Sequence, residues 1–132
     1  MYKQEEIISA TAILLSVAKA DEIIEQKELD AIHLILSDFF ELNSKDKINH
    51  FIDKALTELE NSIDIFQFGK SLNSFWNYQD KVDFICCAFE VSYSDGELHY
   101  IEEHTIKKIA TILNVNHIDL INSKIEMKKY LT

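Results

Sequence analysis

The sequence predicts an all-α protein: a single compact bundle of about seven helices, forming one domain over residues 1–132. Three observations lead there. Proline is absent and glycine occurs only at Gly69 and Gly96, too few turn residues for a sheet-rich fold. Apolar residues recur at three- and four-residue spacing along nearly the whole chain, which is the period of a helix with one buried face. The chain also repeats itself. A shift of 74 residues matches Val17 with Val91, Ala20-Asp21 with Ser94-Asp95, Glu28 with Glu102, Ile32 with Ile106 and Ile35 with Ile109. That period is too long for a solenoid unit. It describes two related helical hairpins flanking a middle pair of helices.

The elements follow in order. The first helix, about residues 3–20, sets Ile7, Ile8, Thr11, Leu14, Leu15 and Ala18 on one face. The second, about 26–41, carries Leu29, Ile32, Ile35, Leu36 and Phe39. Asn43-Ser44-Lys45-Asp46 is a turn with a capping residue. The third helix, about 46–60, has the cleanest stripe: Ile48, Phe51, Ile52, Ala55, Leu56 and Leu59. Asn61-Ser62 caps the fourth, about 63–76, where Ile65, Phe68, Gly69, Leu72, Phe75 and Trp76 face inward. Gly69 weakens a helix, so its use there points to a close helix crossing. The fifth, about 79–94, turns Val82, Ile85, Cys86, Phe89 and Tyr93 inward. The sixth, about 100–113, presents Ile106, Ile109, Ala110 and Leu113. The last, about 117–130, ends on Lys128-Lys129, which suit the negative end of the helix dipole.

Charge narrows the function. With 13 basic and 23 acidic residues the net charge is −10, and every basic residue is Lys. Arg is the residue of bidentate phosphate and guanine recognition. Its absence, with the net acidity, excludes nucleic acid as a partner. No run approaches the roughly 20 apolar residues of a membrane span, and the N-terminus has no secretory pattern. Cys86 and Cys87 are neighbours and cannot easily bridge within a helix. A reduced, cytoplasmic location is expected.

The acidity is concentrated. Residues 21–30 hold Asp21, Glu22, Glu25, Glu28 and Asp30 against Lys27 alone. Residues 90–103 hold Glu90, Asp95, Glu97, Glu102 and Glu103 with no Lys. The two windows contain almost the whole net charge, and they are the two repeat junctions. Within each, an Asp leaves one helix and a Glu opens the next. Two readings stand side by side. In one, the acids close the turns: Glu28 and Glu102 lie three residues after Glu25 and His99, the capping-box spacing, and Gly96 supplies the left-handed residue that ends a helix. In the other, Asp21, Glu28, Asp95 and Glu102 bind a divalent cation, since hard cations take several oxygens. If the junctions share one side of the bundle, they form one negative patch that attracts cations or a basic protein partner.

Other chemistries fail on spacing. In the second copy Val91 and Tyr93 occupy ligand positions of an EF-hand loop, and in the first copy Glu22 stands where that loop has its glycine. His99 and His104 are off one helical face, and Cys86-Cys87 lacks zinc spacing. Asp30-x-x-His33 occurs once, where a di-iron bundle needs pairs. No nucleophile elbow or glycine-rich loop is present, so no enzymatic activity is expected.

Val91-Ser92-Tyr93-Ser94-Asp95-Gly96-Glu97-Leu98-His99, running into Glu102-Glu103 and ending at Leu113-Asn114-Val115, resembles the TerB-like family of tellurite-resistance proteins. That group is related to the N-terminal domain of the DjlA co-chaperones. The resemblance spans nearly the whole chain. It implies an all-helical bundle, a bacterial source and a role in stress or metal resistance. It further implies that Asp21, Glu28, Asp95 and Glu102 are signature acids with a metal-chelating role. The first copy departs from the pattern with Glu22 where glycine is usual.

Overall fold

The computed structural model describes residues 2–20, 23–61 and 64–131. Those residues form seven α-helices and no strand: α1 (Gln4–Ala18), α2 (Gln26–Phe39), α3 (Lys45–Asn61), α4 (Ile65–Phe75), α5 (Tyr78–Tyr93), α6 (Tyr100–Ile112) and α7 (His117–Leu131). The fold class and the order of elements agree with the sequence. α1–α2 and α5–α6 are the repeated hairpins, and α3 and α4 are the middle pair.

α1 is the axis of the bundle. It packs against α2, α3, α4, α5 and α6, and only α7 lies beyond it. The one-faced stripe expected for it is therefore too narrow. Ser9, Ala10, Ala12, Ile13 and Val17 are buried as well, which is the all-round burial of a central helix. Its small residues, Ala10, Ala12 and Ala18, let neighbours approach from several sides. α5 also covers a wider arc than the expected stripe. Phe84 and Ala88 are fully buried beside Ile85 and Phe89, because α5 meets α1 and α2 on one side and α7 on another. Burying a phenylalanine side chain stabilises by about 1.5–3 kcal/mol. Cys87 packs against the core, while Cys86 borders Ser123 of α7; the sequence assigned the core position to Cys86. Burial pushes the Cys87 thiol well above its usual range, so it is an inert packing group.

Helix ends follow local chemistry. Ser44 caps α3, its Oγ accepting the Lys47 N–H at 3.3 Å. The cap of α4 is Asp64, whose carboxylate accepts the Phe66 N–H at 2.9 Å. Asn61 instead ends α3, and Ser62 lies outside the described residues. α6 ends at Asn114 in the left-handed region, φ 61°, with the Val115 N–H donating to the Ala110 carbonyl at 2.8 Å. α2 ends the same way at Glu41, φ 56°, with the Leu42 N–H on the Ser37 carbonyl at 3.1 Å.

Gly69 does allow a close crossing. A Cβ there would sit 2.3 Å from Ile112 Cγ2, so α4 and α6 touch where only a hydrogen fits. The Asn73 amide nearby donates to the Ile112 carbonyl at 2.8 Å.

One end of the bundle is aromatic. Tyr2 meets Phe40 edge-on at 5.0 Å, Phe39 lies 5.4 Å from Trp76, and Trp76 lies 5.0 Å from Phe84. The Trp76 indole N–H donates to the buried Glu6 carboxylate. Tyr78, at the start of α5, accepts the Asn116 N–H at 3.0 Å and donates to Asp119. Both hairpins therefore leave from this end, and their turns lie at the far ends of α1 and α5.

Candidate functional site

The two junctions are built on one plan. In α2 the buried stripe is Glu28, Ala31, Ile32, Ile35 and Leu36. In α6 it is Glu102, Ile106, Ile109 and Ala110. Each glutamate occupies the first slot of a core-facing stripe, where an apolar residue is ordinarily found. Glu28 is 1 % exposed and Glu102 is 0 % exposed. Ile24 and Leu98, at matching positions just before the caps, pack against the core and help bury the first turn. Withdrawing a carboxylate from water costs several kcal/mol unless hydrogen bonds, counter-charge or a metal offset it.

At the first junction part of that cost is met locally. The Glu25 N–H donates to Glu28 Oε1 at 3.0 Å, the back-bond of a capping box. The other oxygen, Glu28 Oε2, is buried and has no hydrogen-bond partner among the described residues. Asp21, the fellow acid of this copy, lies outside the described residues.

The second junction is more elaborate. α5 ends through Ser94, and the Gly96 N–H donates to the Tyr93 carbonyl at 2.9 Å. Gly96 has φ 106°, so the left-handed turn read from the sequence is present. Asp95 accepts the Glu97 N–H at 3.3 Å on one oxygen, and its other oxygen lies 2.7 Å from His99 Nε2. Asp95 is thus held inside its own turn. Lys124, from α7, forms an ion pair with Glu103. Ser92, one turn before Asp95, is fully buried, and its Oγ has no partner among the described residues.

The structure brings Asp95 together with His99. It leaves Glu28 and Glu102 on helices that do not touch, each packed against α1 and α5. Among the described residues, no three His, Cys, Asp or Glu side chains converge to hold a metal ion. His104 stands exposed, away from any such set.

Sequence reasoning missed three groups. His99 read as a weak zinc ligand and is the partner of Asp95. Ser92 carried no signal beyond its place in the repeat. Glu6 is a third buried glutamate at the third position of its helix, and the Trp76 indole satisfies it. A legible signal existed for Glu6: an acid three residues past a helix start, aligned with the apolar stripe.

Residues 8–125 match the family model described as tellurite resistance protein TerB. No curated protein and no solved structure matches the chain. The family match covers both hairpins, both junctions and the middle pair, and so the chain belongs to the TerB family.

Proposed function

We propose that this chain is a non-enzymatic acidic helical module that binds a divalent cation at its hairpin junctions, serving stress or tellurite resistance in a bacterial cytoplasm. Asp21, Glu28, Asp95 and Glu102 are the ligands in this reading. The observation that carries it is Glu28 Oε2, a buried carboxylate oxygen without a partner among the described residues. A cap needs one oxygen and leaves the second unexplained. A hard cation takes carboxylate oxygens of this kind, and its charge would offset the burial. Glu102, equally buried at the matching position, supports the same reading.

A calorimetric titration with Ca²⁺, Mg²⁺, Mn²⁺ and Zn²⁺ tests it. Saturable heat with one ion, lost in the Glu28→Gln, Glu102→Gln double variant, supports the site. No heat with any of the four overturns it.

Two observations favour a second reading, in which the acidic face docks a basic protein without metal. Asp95 already has His99 and the Glu97 N–H as partners, and the Glu97 side chain is 78 % exposed. Pull-down by a lysine-rich surface in the presence of a chelator would support that alternative.

A further inference from the structure

Away from the junctions, the α1 start, the α2 end and the first turns of α3 enclose an open cleft of about 750 Å³. Its floor is apolar: Ile7, Phe40 and Phe51, all buried against the core. Tyr2, at 39 % exposure, forms an aromatic wall, edge-on to Phe40. The rim carries Glu41, Lys47 and His50. Lys47 and His50 are three residues apart in α3 and share its cleft-facing side. This is the composition of a small-molecule site: an apolar body with a few charged groups.

Two further observations sharpen the chemistry. Glu41 and Lys47 line the same cleft, yet they form no ion pair with each other or with another described residue. Opposite charges on one rim, both open, match a ligand that carries both signs. Glu41 also holds a left-handed backbone, φ 56°, where glycine would be unstrained. Glu41 is the left-handed residue that ends α2, so its carboxylate is carried over the cleft at a helix end where glycine is the usual choice.

We propose that this cleft binds a small zwitterion with a large apolar side chain, of the class of free aromatic or branched-chain α-amino acids. The carboxylate meets Lys47 and His50, at the positive end of the α3 dipole. The ammonium meets Glu41. The side chain lies on Tyr2, Phe40 and Phe51.

The test is an NMR titration of the full chain with three probes: L-phenylalanine, hydrocinnamate, which lacks the ammonium, and phenethylamine, which lacks the carboxylate. Saturable shifts confined to the amides of residues 2–7 and 40–51 are expected with L-phenylalanine. Each truncated probe should bind about tenfold more weakly, the equivalent of about 1.4 kcal/mol. Lys47→Gln should weaken L-phenylalanine and leave phenethylamine unchanged. Glu41→Gly should raise Tm, because the strain is relieved, and still weaken L-phenylalanine. Equal binding of all three probes, shifts centred elsewhere, or no saturable shift overturns the proposal. So does a Glu41→Gly protein that binds L-phenylalanine as well as the parent.

Discussion

The two hairpin junctions share a backbone plan and differ in how their charge is met. The second gathers bases: His99 pairs with Asp95 and Lys124 arrives from α7 to meet Glu103. Among the described residues of the first, no ion pair reaches Glu25, Glu28 or Asp30. Linear sequence suggests the reverse, because Lys27 sits in the first window and no Lys in the second. The difference teaches that a sequence repeat fixes where the carboxylates go, while the rest of the fold decides which of them are neutralised. A buried glutamate left without counter-charge is the better candidate to hold a cation. If a cation binds as proposed, the first junction should carry most of the affinity.

The same asymmetry marks how the hairpins are seated. Ile112 presses on Gly69 of α4, and its repeat partner in the first hairpin is Asp38. Gly69→Ala should therefore cost about 1–3 kcal/mol through overpacking, read in a urea melt. Leu34→Ala, at an exposed site of α2, should cost no more than about 0.5 kcal/mol. Equal losses would show that the second hairpin is no more tightly seated than the first.

A smaller loss is expected at the turn itself. Gly96 has φ 106° and no heavy atom within 4 Å of a built Cβ. Gly96→Ala should thus cost about 1–2 kcal/mol by backbone strain alone. The loss should be insensitive to salt. A neutral outcome would mean that the left-handed turn does not distinguish the second junction.

Lys124→Ala tests the imported base. The pair with Glu103 is only partly buried, so its loss should cost about 0.2–1 kcal/mol and shrink as salt rises. No change at low salt would remove the claim that α7 neutralises this junction.

The smallest effect concerns Glu90, between the hairpins. Burial, aided by Asp38, raises its carboxyl above the usual range. A raised acid holds its proton longer in the folded state, so stability falls as pH climbs from the unfolded pKa through the folded one. Glu90→Gln should raise Tm at neutral pH, and the gain should vanish at acid pH where the native carboxyl is protonated. A gain that persists in acid would point to packing instead.

Much of this was legible in the chain. Helix order, the paired hairpins, the tight crossing at Gly69 and the capping role of Glu28 all follow from spacing and residue type. Local patterns could not show that α1 is enclosed on all sides, since periodicity reports one face and central position depends on five partners. Nor could they place Phe84 inward, because it meets Phe39 of α2, which is distant in sequence. The spacing picks out the four acids as a set, whereas the burial of Glu28 and Glu102 follows only from how α2 and α6 pack on the core. The pairings of His99 and Lys124 depend on turn geometry and on α7, which composition does not encode.

The most direct test concerns what Glu28 Oε2 is held for. Tm is measured at low salt for the parent and for Glu28→Gln, each with and without Mn²⁺. Glutamine keeps an oxygen to accept the Glu25 N–H, so the cap survives while the buried charge is removed. The cation-free variant should melt at or above the parent. Mn²⁺ should stabilise the parent alone, by about 2.7 kcal/mol at a hundredfold excess over Kd. A variant that melts clearly lower without cation, together with a Mn²⁺ response that is absent or equal in both proteins, would contradict it and leave Glu28 as a cap.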